Sequence, residues 1–288
     1  MTTAIGVLCA RVRVEEKQII TALGDAGAVA MPVPPSGTPL PPCPAPQDIV
    51  ALGSGSFAGD VDMPVLIDRG GNRAVSAPLI RMVQCAGIGI IGGGLAAHGT
   101  RLDVANAIGN AGLPRPETLV AFSEASGVEA AAKVGFPATL LPIESGSAAT
   151  SLLDVDTADA VIEHRVVLGT KAEAVVLIQA GAPKTSELSR VHVVDGRAVA
   201  VDGATPSTDA IDLAEQASRA IGATLVAVDI ATVNGRSVVW DVVPVADFRA
   251  STPLGRVSIG EAVADLAMRR AEDSGRWEGA CHVIALTA

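Results

Sequence analysis

The sequence predicts an α/β N-terminal domain with a Rossmann-like order of elements, followed by a larger α+β domain. Short apolar runs alternate with helical patterns over the first 90 or so residues, in the order β-α-β-α-β. Further along, Asp195-Gly196 and Asn234-Gly235 each separate two β-rich runs, and such pairs are strong signals for β-hairpins. Apolar residues make up 49% of the chain but aromatic residues only 2%, so the core must consist of Val, Ala, Ile and Leu. This composition is typical of buried strands covered by Ala-rich helices.

The N-terminal domain is predicted over residues 1–90. Its strands and helices alternate, and they are expected, in chain order, at residues 4–9, 15–23, 64–67, 77–86 and 87–91. The first helix has two carboxylates, Glu15 and Glu16, in its first turn, where the helix dipole favours negative charge. Proline and glycine are frequent from Met31 to Pro46, and this segment is interpreted as an irregular surface loop.

The second domain is predicted over residues 91–288 and opens with a glycine-rich loop at 92–100. Apolar residues at helical spacing predict helices at 102–111, 127–134, 158–168, 209–221 and 259–270. Runs of β-forming residues predict strands at 118–121, 138–143, 175–179, 191–194, 197–201, 224–230 and 237–243. The two hairpins pair the last four of these strands, so an antiparallel arrangement is expected in the C-terminal part.

Charge and hydropathy exclude several classes of partner. The formal net charge is −10, so the surface repels phosphate backbones and anionic lipids, and we expect neither a nucleic-acid partner nor a membrane. The longest apolar stretches, near 88–91 and 175–178, are far shorter than the roughly 20 residues that span a bilayer. The first ten residues lack the charged start and long apolar run of a signal peptide. A cytoplasmic location is therefore expected.

Cysteine and histidine show no spacing typical of metal ligands. Scattered cysteines predict free thiols in a reducing compartment rather than disulfides or a zinc site, and the four are Cys9, Cys43, Cys85 and Cys281. No role is assigned to the histidines, which are His98, His164, His192 and His282. Gly87–Gly92 spells G-x-G-x-x-G, but it lies within a predicted strand instead of between a strand and its helix, so it is not interpreted as a dinucleotide site.

Five short motifs, in this order, resemble those of the ATP-grasp ligases of the ribosomal-protein-glutamylation and lysine-biosynthesis branch. They are RVRVEEK at 11–17, GLPRPET at 112–118 with AF at 121–122, GFP at 135–137, AVD at 227–229 and DFR at 247–249. The resemblance covers nearly the whole chain. It implies a pre-ATP-grasp domain followed by a two-lobed α+β ATP-grasp domain, with a lid lobe at about 113–179 and a metal-side lobe at about 180–288.

The resemblance also implies a carboxylate–amine ligase that uses ATP and Mg²⁺. In such enzymes two lobes enclose ATP, the γ-phosphate moves onto a carboxylate, and an amine attacks the resulting acyl phosphate. Cations must hold the phosphates, and carboxylates must hold the metal. The implied partners are a small acidic amino acid, such as α-aminoadipate or glutamate, and a carrier protein, as in lysine and arginine biosynthesis.

Nucleotide-binding roles fall, by this resemblance, on Arg101, Gln179, Ser145 and Gly146. Arg101 stands where the family usually has a phosphate-binding lysine, and Gln179 stands at the strand end that meets the adenine. Ser145 and Gly146 belong to the glycine-containing turn of the lid. The alternative interpretations are a solvated surface arginine and an ordinary exposed turn.

Metal and catalytic roles fall on three other positions. Asp229 and Asp241 match the metal ligands, and Arg190 matches an arginine that would orient the acyl group. Two carboxylates across a hairpin could hold one Mg²⁺, which keeps several waters. The alternative interpretation is that both aspartates cap the ends of strands.

The chain departs from the family pattern at several of these positions. Leu141 stands where a second phosphate-binding lysine is usual, Val243 replaces a metal-binding asparagine, and Leu188 replaces the aspartate that accompanies the arginine. The segment after Gly196 is also shorter. Two hypotheses remain open: a ligase with a remodelled site, and a non-catalytic relative that acts as a binding or regulatory partner. The partner could be a second copy of the chain, giving a homo-oligomer, or an active paralogue, giving a hetero-oligomer.

A substrate or partner surface is predicted where the first strand ends. Arg11, Arg13 and Glu16 follow that strand directly, at the edge where α/β units bind ligands. The alternative is a charged, solvated first helical turn. A carrier protein that is itself acidic would need a local basic patch on this acidic chain, and the candidates for it are Arg69, Arg73 and Arg81.

Overall fold

A computed structural model describes residues 2–35, 39–53, 61–169 and 174–274. Cys281, His282 and three residues of the segment 31–46 lie outside these ranges. Contacts divide the chain into two units. The first runs to Gly92 and includes the last described helix, Ile259–Ser274, and the second is Gly93–Arg256. No described helix is both long and apolar enough to cross a membrane.

The first unit contains a four-stranded parallel sheet with the order β2-β1-β3-β4. Its strands are β1 (Thr2–Leu8), β2 (Val29–Val33), β3 (Val61–Asp68) and β4 (Gly89–Ile91). Its helices are α1 (Val14–Asp25), α2 (Pro46–Gly53), α3 (Arg73–Cys85) and the C-terminal α9 (Ile259–Ser274). Fully buried Ile5, Leu66 and Ile19 lie in its core, as the aliphatic composition requires.

Strand β2 corrects the interpretation of residues 31–46 as a loop. Met31 and Val33 are fully buried, and β2 pairs with β1 from Ala4↔Val29 to Leu8↔Val33. Pro32 argues against a central strand because it has no N–H to donate, but β2 is the edge strand of the sheet, where proline is tolerated. The proline signal therefore marked an edge strand and not a break in the fold.

The last helix packs in the first unit, whereas the sequence analysis assigned its residues to the second domain. Helix α9 contacts α1 and β3, and its apolar face is buried at Val263, Ala264 and Ala267. A Cβ at Gly260 would lie 3.0 Å from the Gln18 carbonyl oxygen, so glycine allows α9 to approach α1 closely. Helical periodicity predicts that α9 forms, but it does not indicate which domain the helix covers.

The first sheet of the second unit is antiparallel, with the order β5-β8-β6-β7. It consists of β5 (Thr118–Ala121), β6 (Ala138–Pro142), β7 (Thr150–Leu152) and β8 (Val176–Ala180). Helices α6 (Glu124–Val134) and α7 (Val155–Leu168) cover it. Small residues such as Ala131 and Ala158 bring these helices close to the sheet and pack against Leu140 and Ile178.

The second sheet of this unit has the order β12-β11-β9-β10-β13. Its strands are β9 (Ser189–Val194), β10 (Arg197–Gly203), β11 (Leu225–Val233), β12 (Arg236–Val243) and β13 (Thr252–Pro253). Helices α5 (Arg101–Asn110) and α8 (Thr208–Ala220) cover one face, and a short helix, α4 (Leu95–His98), precedes α5.

Both predicted hairpins are present in this sheet. Asp195-Gly196 joins β9 to β10 and Asn234-Gly235 joins β11 to β12, and all four residues have positive φ. Positive φ at both turn positions is the geometry that Asp-Gly and Asn-Gly pairs favour. The predicted class, a parallel α/β part followed by antiparallel α+β lobes, is confirmed.

Candidate functional site

Four charged side chains form a row across the second sheet. Asp202, Arg190, Asp229 and Asp241 are successive register partners on β10, β9, β11 and β12. Directly opposed residues of neighbouring strands present their side chains on the same face of a sheet. Residues that alternate with them, such as Val191, pack in the core on the opposite face. We call these four residues the charged row.

The predicted catalytic arginine and one predicted metal ligand bond to each other within this row. Arg190 Nε donates to Asp229 Oδ1 at 2.7 Å, and Nη2 donates to Oδ2 at 2.8 Å. Burial raises the pKa of Asp229, and the Arg190 guanidinium opposes this effect. The same hydrogen bonds raise the pKa of Arg190, which therefore keeps its charge. Two predicted roles are thus combined in one bidentate ion pair.

The second predicted metal ligand is paired in the same way. Arg101 Nη2 donates to Asp241 Oδ2 at 2.7 Å, and Nε donates to Oδ1 at 3.1 Å. The Arg101 side chain is only 4% exposed, which excludes the alternative of a solvated surface arginine. Asp241 lies inside strand β12 and Asp229 inside β11, so neither caps a strand end.

Arg101 also holds the turn that follows β6. Its Nη1 donates to the carbonyl oxygens of Pro142 and Glu144, both at 2.9 Å, and Nη2 donates to that of Ser147 at 2.8 Å. A guanidinium has five N–H donors. With the two bonds to Asp241, all five are used. We call residues 142–147 the lid turn.

The predicted nucleotide-binding residues Ser145 and Gly146 lie in the lid turn. Gly146 has φ +83°, which glycine adopts without strain. The Ser145 hydroxyl is buried and has no hydrogen-bond partner among the described residues. The turn is thus tied down by its carbonyl groups, while the one hydroxyl that it buries is unsatisfied.

A small cavity adjoins these groups. It is lined by Arg101, Leu141, Gln179, Trp240 and Asp241, among others, and has a volume of about 40 Å³. A buried water needs roughly 10–15 Å³ of such space. The cavity therefore has room for a few waters and not for a nucleotide. Leu141 is 4% exposed here, at the position where the resemblance implies a lysine.

Gln179 is bound to a β-bulge. Asp229 opposes Asp241 while Ile230 opposes Val239, so Trp240 is the extra residue of β12. Gln179 Nε2 donates to the Trp240 carbonyl oxygen at 3.1 Å. The glutamine amide is thus engaged by protein groups.

A second, larger cavity lies beyond Gln179, with a volume of about 600 Å³. Its lining comes from 180–183, Glu187, the end of β11 at 231–234, and Trp240. This volume is within the range of small-molecule sites. The end of β8 therefore borders a pocket of ligand size, although the Gln179 side chain is not part of its lining.

The sequence analysis missed the partner of Asp202. His192 Nε2 lies 2.6 Å from Asp202 Oδ2, and the ring meets Phe248 edge to face. His192 is two residues from Arg190 on β9 and is 3% exposed. Burial lowers the pKa of His192, the hydrogen bond to the Asp202 carboxylate opposes this, and the Arg190 charge lowers it further. The pair lies diagonally across the hairpin, since His192 opposes Ala200 and Asp202 opposes Arg190, so only the folded strands bring the two side chains together.

We expect the protein to lose stability through His192 as the pH falls. The lowered pKa means that the unfolded chain binds the proton more readily than the folded one. Stability is therefore complete above the ordinary pKa of 6.5 and declines as the pH falls toward the lowered value. The test compares urea unfolding at about pH 7.5 and about pH 5.5 for the protein and His192→Gln, which cannot titrate. Equal losses in both proteins would contradict this assignment.

The predicted surface at the end of β1 differs from expectation at one residue. Arg11 is exposed and the Arg13 side chain is 49% exposed, but the Glu16 side chain is fully buried. Glu16 accepts hydrogen bonds from the Arg13 backbone N–H at 2.9 Å and from Arg69 Nε at 3.1 Å. It is an anchor inside the first unit and not part of a surface, because two guanidinium groups satisfy it.

The suggested basic patch is not formed by its three candidates together. Arg69 is 3% exposed and pairs with Glu16. Arg73 is mostly buried and pairs with Asp68 at 2.9 Å. Arg81 is exposed. Two of the three charges are thus neutralised within the unit.

The arrangement does not fit a metal–triphosphate group as it stands. Both aspartates that would hold a metal are bidentate partners of arginines, and the guanidinium that would hold phosphate has no free donor. Within the described residues, no three His, Cys, Asp or Glu side chains come together as a metal site requires.

Comparisons with known proteins agree on the fold. No family model matches the chain. An ATP-grasp protein with a RimK domain from Sphaerobacter thermophilus is 26% identical, with a TM-score of 0.74 over 91% of this chain and 98% of that one. D-Alanine–D-alanine ligase from Bacillus anthracis, solved with ATP, is 12% identical, with a TM-score of 0.66 over 95% and 99%. PsnB, solved with a minimal precursor, Mg and ADP, is 16% identical, with a TM-score of 0.62 over 93% and 98%.

The chain therefore has the ATP-grasp fold, and the predicted recognition of an ATP-grasp ligase-like protein is confirmed. Within that fold, its similarity lies in the RimK/LysX branch. The α-aminoadipate–LysW ligase LysX from Sulfolobus acidocaldarius is 24% identical over 191 residues. That match spans 65% of this chain and 65% of the ligase, less than two thirds of its length.

Proposed function

We propose that this ATP-grasp ligase-like protein is a non-catalytic relative that binds a ligand or partner without turning over ATP. One observation carries the proposal. The arginine expected to hold phosphate and an aspartate expected to hold Mg²⁺ are bonded to each other, and the arginine has no donor left. The site satisfies its own charges.

The residue types at the site support this proposal. A buried leucine at position 141 cannot neutralise a phosphate, and Val243 offers no oxygen to a metal. Bound Mg²⁺ would have to compete with two guanidinium groups for Asp229 and Asp241. The cost is clearest for Arg101, which is 4% exposed: a buried guanidinium that loses its carboxylate is disfavoured by roughly several kcal/mol.

The larger cavity by Trp240 supports retained binding. Its volume of about 600 Å³ exceeds that of the small cavity near Arg101, and it borders the strand end that the resemblance assigns to adenine. Adenine needs backbone donors and an apolar slot more than particular side chains. The protein could therefore bind adenosine in this cavity even though Arg101 and Asp241, which are expected to hold the phosphates and the metal, are bonded to each other.

A carboxylate–amine ligase with a remodelled site is the second candidate. The observation that favours it is the direct register pairing of Asp229 with Asp241, which keeps two carboxylates adjacent. Its substrates would be a small acidic amino acid and a peptide or carrier protein. PsnB was solved with a precursor peptide, and LysX is described as a ligase that acts on LysW. The net charge of −10 disfavours an acidic carrier in either case.

Thermal unfolding with millimolar Mg-ATP, combined with an assay for ADP release, separates the two candidates. A ligand at 100 times its Kd adds about 2.7 kcal/mol of stability, so binding is readily seen. We expect a stabilising shift with ATP, a similar shift with adenosine, and no ADP release with acidic amino acids as acceptors. ADP release that depends on an acceptor would establish the ligase. If neither ATP nor adenosine shifts the unfolding temperature, the protein does not bind the nucleotide, and nucleotide binding is excluded for both candidate functions.

A further inference from the structure

We infer that Arg101 is a latch that joins the lid turn to strand β12, so that opening the turn and freeing Asp241 are one event. The guanidinium bonds to three carbonyl oxygens of the turn and to both carboxylate oxygens of Asp241. Among the described residues, no other side chain has a hydrogen bond to both the turn and Asp241. This inference goes beyond the proposed function, and it concerns the protein without any ligand.

Beyond Pro142, which pairs with Val176 in the sheet, the described residues hold the lid turn mainly through Thr100 and Arg101. Its internal backbone bond, from Ser147 N–H to the Glu144 carbonyl, is long at 3.4 Å. The Ser145 hydroxyl has no partner among the described residues. At the other end of the latch, the Arg101 backbone N–H donates to the Ile143 carbonyl at 2.8 Å, which aligns the start of α5 with the turn. Loss of the guanidinium would therefore remove three hydrogen bonds to the turn and leave the bond from the Arg101 backbone N–H.

Burial strengthens the hydrogen bonds of Arg101 both to Asp241 and to the lid turn. Arg101 is 4% exposed and Asp241 is 16% exposed, so solvent screens their attraction little. Asp241 Oδ1 also accepts from the Val242 backbone N–H at 2.9 Å, which fixes the carboxylate against its own strand. The planar fork of arginine serves all of these acceptors at once. The lysine ammonium is a compact charge with only three N–H donors, so it cannot bond to all five acceptors.

Arg190 provides a matched control. It forms a bidentate pair of similar length with Asp229 on the same sheet, but no described hydrogen bond joins it to the lid turn. Arg190→Met and Arg101→Met both remove a guanidinium from an ion pair and keep an aliphatic side chain. Both are expected to lower global stability, and only Arg101→Met should release the turn.

The test is cleavage of the folded protein by a glutamate-specific protease, without nucleotide or metal. Glu144 is exposed within the lid turn, and cleavage after it requires local opening. We expect Arg101→Met to speed this cleavage by about tenfold or more relative to cleavage after Glu163 in α7, since three charge-assisted bonds are lost. Arg190→Met should leave this ratio unchanged. Equal acceleration by both variants, or none by Arg101→Met, would overturn the latch.

Arg101→Lys provides the second variant in case Arg101→Met does not fold. It keeps the charge opposite Asp241 but cannot reach all three carbonyls. We expect faster cleavage after Glu144 than in Arg190→Met. A cleavage ratio equal to that of the unmodified protein would refute the inference. Because the assay contains no ATP, its outcome is independent of whether the proposed function is correct.

Discussion

Glu16→Ala is expected to lower the free energy of unfolding by about 3 kcal/mol or more, the cost of removing one partner from a buried ion pair. The Glu16 side chain is fully buried, and the Arg69 side chain that it accepts from is 2% exposed. Alanine would leave the Arg69 charge inside the first unit without this carboxylate. The Arg13 N–H at the start of α1 would also lose its acceptor. Urea unfolding followed by circular dichroism measures the loss.

Glu261→Ala is the matched control for this prediction. Glu261 makes the same capping bond at the start of α9, accepting from the Ser258 backbone N–H at 2.7 Å, but it is exposed and has no ion pair with a buried guanidinium among the described residues. A much smaller loss is expected. If both variants lose the same stability, the cost comes from the helix cap and not from the buried arginine.

The pH dependence of Glu16 follows from the same contacts. Burial raises the pKa of Glu16, but the hydrogen bonds from Arg13 and the charge of Arg69 outweigh burial and lower it overall. The folded protein therefore binds this proton less readily than the unfolded chain. The stabilisation is complete above the ordinary pKa of 4.5 and is lost as the pH falls through the lowered value. Glu16→Ala should therefore lose much of its disadvantage at acid pH.

Gly94→Ala is expected to destabilise the second unit by about 3 kcal/mol or more, among the largest effects of a single substitution. Gly94 has φ +53°, and a Cβ there would lie 2.4 Å from the Ile221 carbonyl oxygen and 2.6 Å from Gly222 backbone atoms. The obstacle is backbone, which cannot rotate away as a side chain would. The Leu95 N–H donates to the same Ile221 carbonyl at 2.9 Å, so relief of the clash would break that bond.

Gly112→Ala separates the clash from the cost of the backbone conformation. Gly112 has φ +68°, but no atom lies within 4 Å of the position that its Cβ would occupy. Only the left-handed conformation should matter there, at about 1–2 kcal/mol. Thermal unfolding of the two variants measures the difference. Equal losses would show that conformation, and not the approach to Ile221, determines the requirement for glycine at position 94.

Local signals in the sequence predicted the hairpins and most helices. Asp-Gly and Asn-Gly pairs favour the positive φ angles of a two-residue hairpin turn, and the helical spacing of apolar residues indicates which face of a helix is buried. Strand β2 was hidden because Pro32 is a breaker signal everywhere except at a sheet edge, and edge position is a property of the whole sheet. Helix α9 was predicted as a helix, but its packing against α1 depends on contacts that span most of the chain.

The charges at the candidate site were visible in the sequence, but their pairing was not. Asp202 and Arg190 oppose each other because of the register of the first hairpin. Asp229 opposes Asp241 only because Trp240 is an extra residue in β12. A shift of one residue would turn Asp241 to the other face of the sheet, away from Arg101. The family resemblance indicated which residue types occupy the site. Only the three-dimensional structure shows that these arginines and aspartates form hydrogen bonds with each other.

The position of α9 has a consequence for how the chain acquires its structure during synthesis. Residues 93–256 form an insertion within the first unit, so they leave the ribosome before helix α9 of that unit. The inserted segment can form its native contacts as soon as it is synthesised. The parallel sheet of the first unit cannot form its contacts with α9 until that helix has also been synthesised. Contacts between α1 and α9 close a loop of more than two hundred residues, and such distant contacts are slow to form. The first unit is therefore expected to complete its native contacts after the inserted segment has folded.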